Sequence, residues 1–226
     1  AALVRLHRKI VSDLIEAQYS FSKRLVEQNL KAFDLGYNYS CENFNEPLPF
    51  YIQEQKVETK DPSILVEGNH AYALGCLYAG ATVASWYPIT PSTGIMEKFE
   101  HLCKQYRKDK KSNKNNYAIV QAEDEISALG MVLGAAWNGA RAFTATSGPG
   151  LSLMTEFLGY AYYAEIPAVI FNIQRCGPST GMPTKNQQSD ILQAAYSSHG
   201  DTKHILLFPS NPHDAFEFSI EAFDLA

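Results

Sequence analysis

Four short stretches of the chain set chemically capable side chains among turn-forming residues: SWYPITPST (Ser85–Thr93), QAEDE (Gln121–Glu125), TATSGPGLSLMTE (Thr144–Glu156) and FNIQRCGPSTGMPTKNQQSD (Phe171–Asp190). In the first, Pro88 and Pro91 fix their own φ and push Tyr87 and Thr90 toward extended geometry, which pins the Thr90 hydroxyl in one direction. The alternative is a plain strand-to-helix connector in which Ser92 or Thr93 caps the next helix. In the second, Glu123, Asp124 and Glu125 open a helix, where the dipole favours carboxylates for structural reasons alone. That helix is almost wholly apolar, with Gly130, Gly134 and Ala135 permitting close approach, so it reads as buried. A carboxylate at the mouth of a buried helix needs a partner, or its pKa climbs from about 4.3.

The third stretch is a glycine turn between strand and helix. It could cradle a phosphate at a helix N-terminus, yet it matches neither the Walker pattern nor G-x-G-x-x-G. A tight turn in which Gly148 and Gly150 bring backbone close to a neighbour accounts for it equally well. In the fourth, Arg175 at a strand end suits a bidentate grip on a carboxylate, with a surface ion pair as the plainer reading. The Gly/Pro/Ser/Thr run behind it is a long loop of the functional kind. Gln174, Ser179 and Thr180 are further candidates for substrate contact, and His199 either lines the site or caps SSHGD.

These residues need elements to position them. From Ile64 onward, short β-rich runs alternate with helical ones. The pattern predicts helices over 71–79, 93–106, 125–137, 151–164, 190–198 and 212–225, and strands over 82–87, 118–121, 142–146, 168–173 and 204–208. Such alternation argues for an α/β fold with a doubly wound, mostly parallel sheet, whose ligand crevice lies beyond the carboxyl ends of the strands. All four stretches fall there. Ahead of them, LVRLHRKIVSDLIEAQ and KRLVEQNLKAFDLG carry apolar residues at helical spacing, with Val26, Leu30 and Phe33 on one stripe and Gly36 where a helix would stop. An irregular stretch, NYSCENFNEPLPF, follows, and composition changes near Asp61–Pro62. The division is thus an N-terminal helical segment, 1–62, too small for its own core, and a second domain, 63–226.

Composition narrows the function. With 226 residues, 46% of them hydrophobic and 19% charged, the chain is ordinary globular material with room for one sizeable core. A net charge of -5 argues against a general nucleic-acid binder. The four cysteines, at 41, 76, 103 and 176, form no C-x-x-C pair, so neither a zinc site nor a local iron–sulfur ligand run is expected. No apolar run approaches the roughly 20 residues needed to span a bilayer and no signal peptide opens the chain, so a cytoplasmic setting without membrane is expected. The chain opens on Ala1, which reads as an excised piece of something longer. The run KQYRKDKKSNKNN (Lys104–Asn116) reads as a solvated loop, with a basic patch for an acidic ferredoxin as the alternative.

Taken in order, YPITPST, QAEDE, TATSGPGLSLMTE, QRCGPSTGMPT and SHGD resemble the alpha subunit of 2-oxoacid:ferredoxin oxidoreductases over Val66 to about Ala226. The pyruvate branch resembles the chain at the YPITP turn and the carboxylate helix, whereas SGPGL and GPSTG are similar to the 2-oxoglutarate type. The N-terminal helices resemble the tail of a gamma domain that some members fuse ahead of the alpha part. The resemblance implies the pyrimidine-binding fold of thiamine diphosphate enzymes. It further implies a glutamate that hydrogen-bonds a ring nitrogen of the aminopyrimidine from an apolar pocket. Its distance ahead of Gly130 selects Glu125 over Glu123. By the same resemblance Thr90 and Arg175 hold the carboxylate of the 2-oxo acid, and Ile89 and Ser147 join Glu125 in the cofactor site.

The implied reaction is oxidative decarboxylation of a 2-oxo acid with coenzyme A, passing electrons through iron–sulfur clusters to ferredoxin. This sequence carries no cluster-binding cysteines, no G-D-G…N pattern for magnesium and diphosphate, and no swivelling domain. The resemblance therefore implies half of a cofactor site, with magnesium and the iron–sulfur clusters on a beta subunit and an isolated chain that is inactive. A pyruvate, branched-chain or aryl 2-oxoacid enzyme would keep Glu125 and change the substrate pocket. A non-catalytic interaction module is the reading from another class.

Overall fold

In the computed structural model the two N-terminal helical patterns form α1 (Arg8–Gln18) and α2 (Lys23–Asn43). Ser22 starts α2 by accepting a hydrogen bond from the Leu25 N–H. The expected stop at Gly36 is not observed: the helix continues to Asn43 and takes in the first six residues of the stretch read as irregular. A single glycine in a helix costs only about 1 kcal/mol, and no proline or second glycine follows it in Tyr37–Asn43 to convert that cost into a break. Arg8 pairs with Asp34 at 2.6 Å across the two helices, and neither helix buries a residue. The structure describes residues 1–44, 46, 48–53 and 63–226, so the expected boundary at Asp61–Pro62 lies outside the described residues. The chain divides into two units, Ala1–Ser63 and Ile64–Ala226.

The second unit is built on four strands, β1 (Val83–Trp86), β2 (Ala118–Gln121), β3 (Ala142–Thr146) and β4 (Val169–Asn172), all parallel in the order β2-β1-β3-β4. α3 (Gly68–Tyr78) precedes them, α4 (Thr93–Tyr106), α5 (Glu125–Trp137), α6 (Gly148–Leu153) and α7 (Thr155–Ala164) run between them, and α8 (Ile191–Tyr196) and α9 (Pro212–Leu225) follow. Parallel strands need crossovers, and helices on both faces bury the middle of the sheet, while the edge strand β2 stays largely exposed. Every residue of β3 is accordingly buried. Its side chains alternate between two cores. Phe143 and Ala145 join Ala73, Cys76, Phe99 and Phe223 of α3, α4 and α9, while Ala142 joins Leu129, Val132, Leu151 and Leu158 of α5, α6 and α7. Phe143 centres the first core, with edge-on contacts to Phe99 at 4.8 Å and Phe171 at 5.6 Å between ring centroids. This is the doubly wound α/β architecture that the alternating pattern implies.

Two expectations fail for local reasons. The helix read as 151–164 starts earlier, at Gly148, and breaks at Met154 into α6 and α7. There the Thr155 hydroxyl donates to Ser152 O at 2.7 Å, a side-chain bond that competes with the helical ladder. The strand read over 204–208 forms no ladder among the described residues. The segment faces β4 across a cavity of about 710 Å³ lined by both, and its His204 N–H donates to Ala195 O. Its β-favouring composition makes a strand only if a neighbour lies at ladder distance. No described helix is long and apolar enough to cross a membrane.

The α3·α9 contact depends on Gly75. A Cβ there would come within 2.5 Å of both Phe216 O and Ser219 Cβ, one of them main chain. Gly75→Ala should therefore cost about 1–3 kcal/mol. Gly134 lies on the exposed surface of α5, and a Cβ added to it would meet nothing within 4 Å, so Gly134→Ala should instead gain about 0.5–1 kcal/mol. Paired urea unfolding curves check both signs.

Candidate active site

The strand order reverses between β1 and β3: the chain leaves β1 for β2 on one side and leaves β3 for β4 on the other. Ligands of open α/β sheets bind at such a switch point, beyond the carboxyl ends. The Tyr87–Ser92 turn after β1 and the Ser147–Gly150 turn after β3 flank it.

At the start of α5 the three carboxylates divide their work. Asp124 is the N-cap, its Oδ1 accepting from Ser127 N–H at 2.6 Å, and that bond holds its carboxyl below the usual carboxylate range. Glu123 is exposed. Glu125 is only 7% exposed and turns inward, against the turn after β3. There a Cβ on residue 150 would lie 2.7 Å from Glu125 Cγ and 3.1 Å from its Oε1, and would collide with Thr146 Oγ1. Gly150 is thus the gap into which the Glu125 side chain fits. Ser147, at the N-cap of α6, is fully buried, yet its hydroxyl makes no capping bond and finds no partner among the described residues. The Thr144 hydroxyl is equally buried and unpartnered. Buried hydroxyls without partners are rare. Glu125 and Thr146 thus fill the space that a side chain at residue 150 would take, three residues after the unpartnered Ser147 hydroxyl.

The proline-flanked turn closes on itself. Ile89, half-buried, offers its carbonyl to Ser92 N–H and Ser92 Oγ, both at 2.9 Å, and to Thr93 Oγ1 at 3.4 Å. Ser92 is the N-cap of α4 but its side chain makes no cap bond, which removes the capping reading of that residue. Thr90 is exposed at the tip, and its carbonyl accepts from Arg175 Nη1 at 2.9 Å. The structure therefore brings Thr90 and Arg175 together through the main chain of Thr90. Arg175 Nη2 donates to Thr180 O at 2.8 Å, and Nε is buried without a partner. Its guanidinium thus grips two carbonyls, and no carboxylate of the described residues pairs with it, so the plainer reading of a surface ion pair is not observed.

Three further polar residues lie at the end of β4 and at the start of α8. Asn172 Nδ2 donates to Asp190 Oδ2 at 2.8 Å, and Asn172 Oδ1, Gln174 Oε1 and Asp190 Oδ1 are all buried without partners. Of these, Asn172 and Asp190 escaped the sequence reading. The one available signal was an asparagine closing the apolar run VIF. His199 is exposed, and no cluster of three or more His, Cys, Asp or Glu residues that could hold a metal occurs among the described residues. In the basic run, Lys104 pairs with Glu100 at 2.7 Å, Arg107 donates to Leu77 O, and Asp109 Oδ1 accepts from the Lys111 and Ser112 N–H groups, so the loop is shaped by its own contacts.

Residues 74–226 match the family model for the thiamine-diphosphate-binding domain of pyruvate flavodoxin/ferredoxin oxidoreductases. The chain is 48% identical over 161 residues to the 2-oxoglutarate synthase subunit KorA of Methanothermobacter thermautotrophicus, covering 71% of this chain and 40% of that one. It is 38% identical over 224 residues to the alpha subunit of 2-oxoacid:ferredoxin oxidoreductase 2 of Aeropyrum pernix, covering 96% of this chain and 34% of that one. Among solved structures it is similar to 2-oxoglutarate:ferredoxin oxidoreductase from Magnetococcus marinus, with 2-oxoglutarate, coenzyme A and succinyl-CoA bound. The TM-score is 0.75 at 33% identity, over 99% of this chain and 37% of that one. The chain thus spans well under half the length of these relatives.

The Gly150 gap yields a direct test. Gly150→Ala should lower the unfolding midpoint by roughly 3–10 °C, from an overpacking cost of about 1–3 kcal/mol. Gly148→Ala, whose Cβ would meet a single Asp190 oxygen at 3.1 Å, should cost less. Thermal melts of the two variants side by side check the order.

Proposed function

We propose, from the premise that this chain belongs to the pyruvate flavodoxin/ferredoxin oxidoreductase family through its thiamine-diphosphate-binding domain, that it provides one half of a catalytic centre for oxidative decarboxylation of a 2-oxo acid. The substrate is 2-oxoglutarate, the acceptor of the acyl group is coenzyme A, and the electrons pass to ferredoxin. The names of the relatives from Methanothermobacter and Magnetococcus support that substrate. The second unit, residues 63–226 in the sequence-based division, is the pyrimidine-binding domain of the alpha subunit, and residues 1–62 are the tail of a fused gamma domain. A beta subunit supplies the diphosphate site with its magnesium ion and an iron–sulfur cluster.

The observation that carries this reading is the burial of Glu125 beside Gly150, while Glu123 faces water and Asp124 spends its carboxylate on the helix cap. Thiamine diphosphate, when bound, supplies an electron sink for decarboxylation. Glu125 holds a proton at a ring nitrogen of the aminopyrimidine, as general acid–base chemistry from a water-poor pocket requires. Ser147 contributes its unpartnered hydroxyl to the cofactor, and Ile89 contributes an apolar surface beside it. Arg175 binds the substrate carboxylate with the donors left over from its two carbonyl contacts, its Nε among them, and the Thr90 hydroxyl takes the other side.

Two outcomes are expected in the enzyme assembled with its beta subunit. Glu125→Gln lowers turnover about 10²-fold or more, whereas Glu123→Gln leaves it near wild type. Equal losses would remove Glu125 from its role. Arg175→Ala raises KM for the 2-oxo acid and leaves KM for coenzyme A nearly unchanged, measured by steady-state kinetics with a redox dye as electron acceptor. A collapse of coenzyme A binding would give the loop a different task.

A further inference from the structure

The loop that leaves β4 is tied down at both ends, and the tie at its far end has no part in the function proposed above. Near its start Arg175 reaches forward to Thr180 O, and the Cys176 N–H donates to Lys185 O at 2.7 Å, so the front of the loop folds on itself. At its end Asp190 Oδ2 accepts from Asn172 Nδ2 at 2.8 Å, returning the chain to the last residue of β4. The same oxygen sits against Gly148, where a Cβ would lie 3.1 Å away. Asp190 thus touches the end of β4 and the first residue of α6, beside Ser147. The second oxygens, Asp190 Oδ1 and Asn172 Oδ1, are buried without partners, and an amide-to-carboxylate bond is of the stronger, charge-assisted class.

We infer that Asp190 is a positioning residue: by latching the loop onto Asn172 and the Gly148 turn it holds in place the Thr180 carbonyl that orients the Arg175 guanidinium. The energetic logic is geometric. Arg175 is fixed by two carbonyls, one in the rigid turn after β1 and one in this loop. Release of the loop's far end leaves the Thr180 carbonyl held only by its own hairpin, through the Cys176–Lys185 and Cys176–Met182 contacts, and so lets the guanidinium shift about the one carbonyl still fixed from the sheet. The consequence for substrate binding rests on the reading of Arg175 given above, whereas the latch itself does not.

Three variants of the assembled enzyme test it: Asp190→Ala, Asn172→Asp, and the exchange Asn172→Asp with Asp190→Asn, which rebuilds the bond with its roles reversed. The first readout is tryptic cleavage after Lys185, an exposed residue of the loop. It should quicken about tenfold in each single variant, the scale of one charge-assisted hydrogen bond, and return toward wild type in the exchange. The second is steady-state kinetics. KM for the 2-oxo acid should rise about tenfold in the single variants, more than kcat falls and with KM for coenzyme A unchanged, and should recover in the exchange. If the wild-type enzyme turned over no 2-oxo acid, the proposed function would fall and the cleavage rates would still judge the latch. Wild-type cleavage in Asp190→Ala, an exchange no better than the single variants, or quicker cleavage with an unchanged KM would each overturn the inference.

Discussion

The missing side chain at residue 150 is the constraint on which the site depends. With no Cβ there, the first turn of α6 comes close enough to the mouth of α5 for the Glu125 side chain to lie against main chain. Any larger residue would have to push α6 away from the end of β3 or turn the glutamate toward solvent. Overpacking in a close-packed interior is relieved by moving whole elements, because little free space lies nearby. The burial of Glu125, the enclosure of Ser147 and the run of α6 are thus three aspects of one contact. The Asp124 cap contributes from the other side by serving the Ser127 N–H, one of the unpaired donors of the first turn, and so leaves Glu125 to turn inward.

The sheet supplies the rigidity that such a contact needs. β3 is buried along its whole length and bears on both cores, so the turn that follows it starts from a fixed point. The turn after β1 begins next door in the ladder and is locked by the bonds converging on Ile89 O. Arg175 then ties the turn after β1 to the loop after β4, across the width of the sheet's reversal. Catalytic groups carried on loops are only as exact as the strands that launch them, and here all three launch points belong to one parallel sheet.

Much of this framework could be read before any coordinates. The bounds of β2, α5, β3 and α9 follow from apolar runs framed by strong punctuation, such as Asn138–Gly139 after α5 and Pro212 at the start of α9. The break at Met154 is local, but two other failures turned on something outside the window that was read. α2 passes Gly36 because nothing downstream breaks it, and 204–208 stays unpaired because pairing is a property of two segments. The motifs that gather at the crevice were legible as residue types in strand-end positions. Their contacts were not. Nothing in the sequence says that Arg175 would meet the carbonyl of Thr90, or that Asn172 would meet Asp190, because hydrogen bonds of that separation are set by the sheet order that brings the strand ends together.

The segment beside β4 also has a bearing on how the chain behaves in a crowded solution. A strand at the margin of a sheet presents a row of unpaired N–H and C=O groups, and a flat apolar edge of that kind recruits other chains. β4 is apolar, with Val169, Ile170 and Phe171 in sequence, and its outer side carries no ladder among the described residues. Residues 203–209 run along that side without pairing, with the cavity between them. They line the far wall of that cavity and do not complete the sheet. Removal of that stretch would leave the outer edge of β4 open, the kind of edge that natural sheets keep covered.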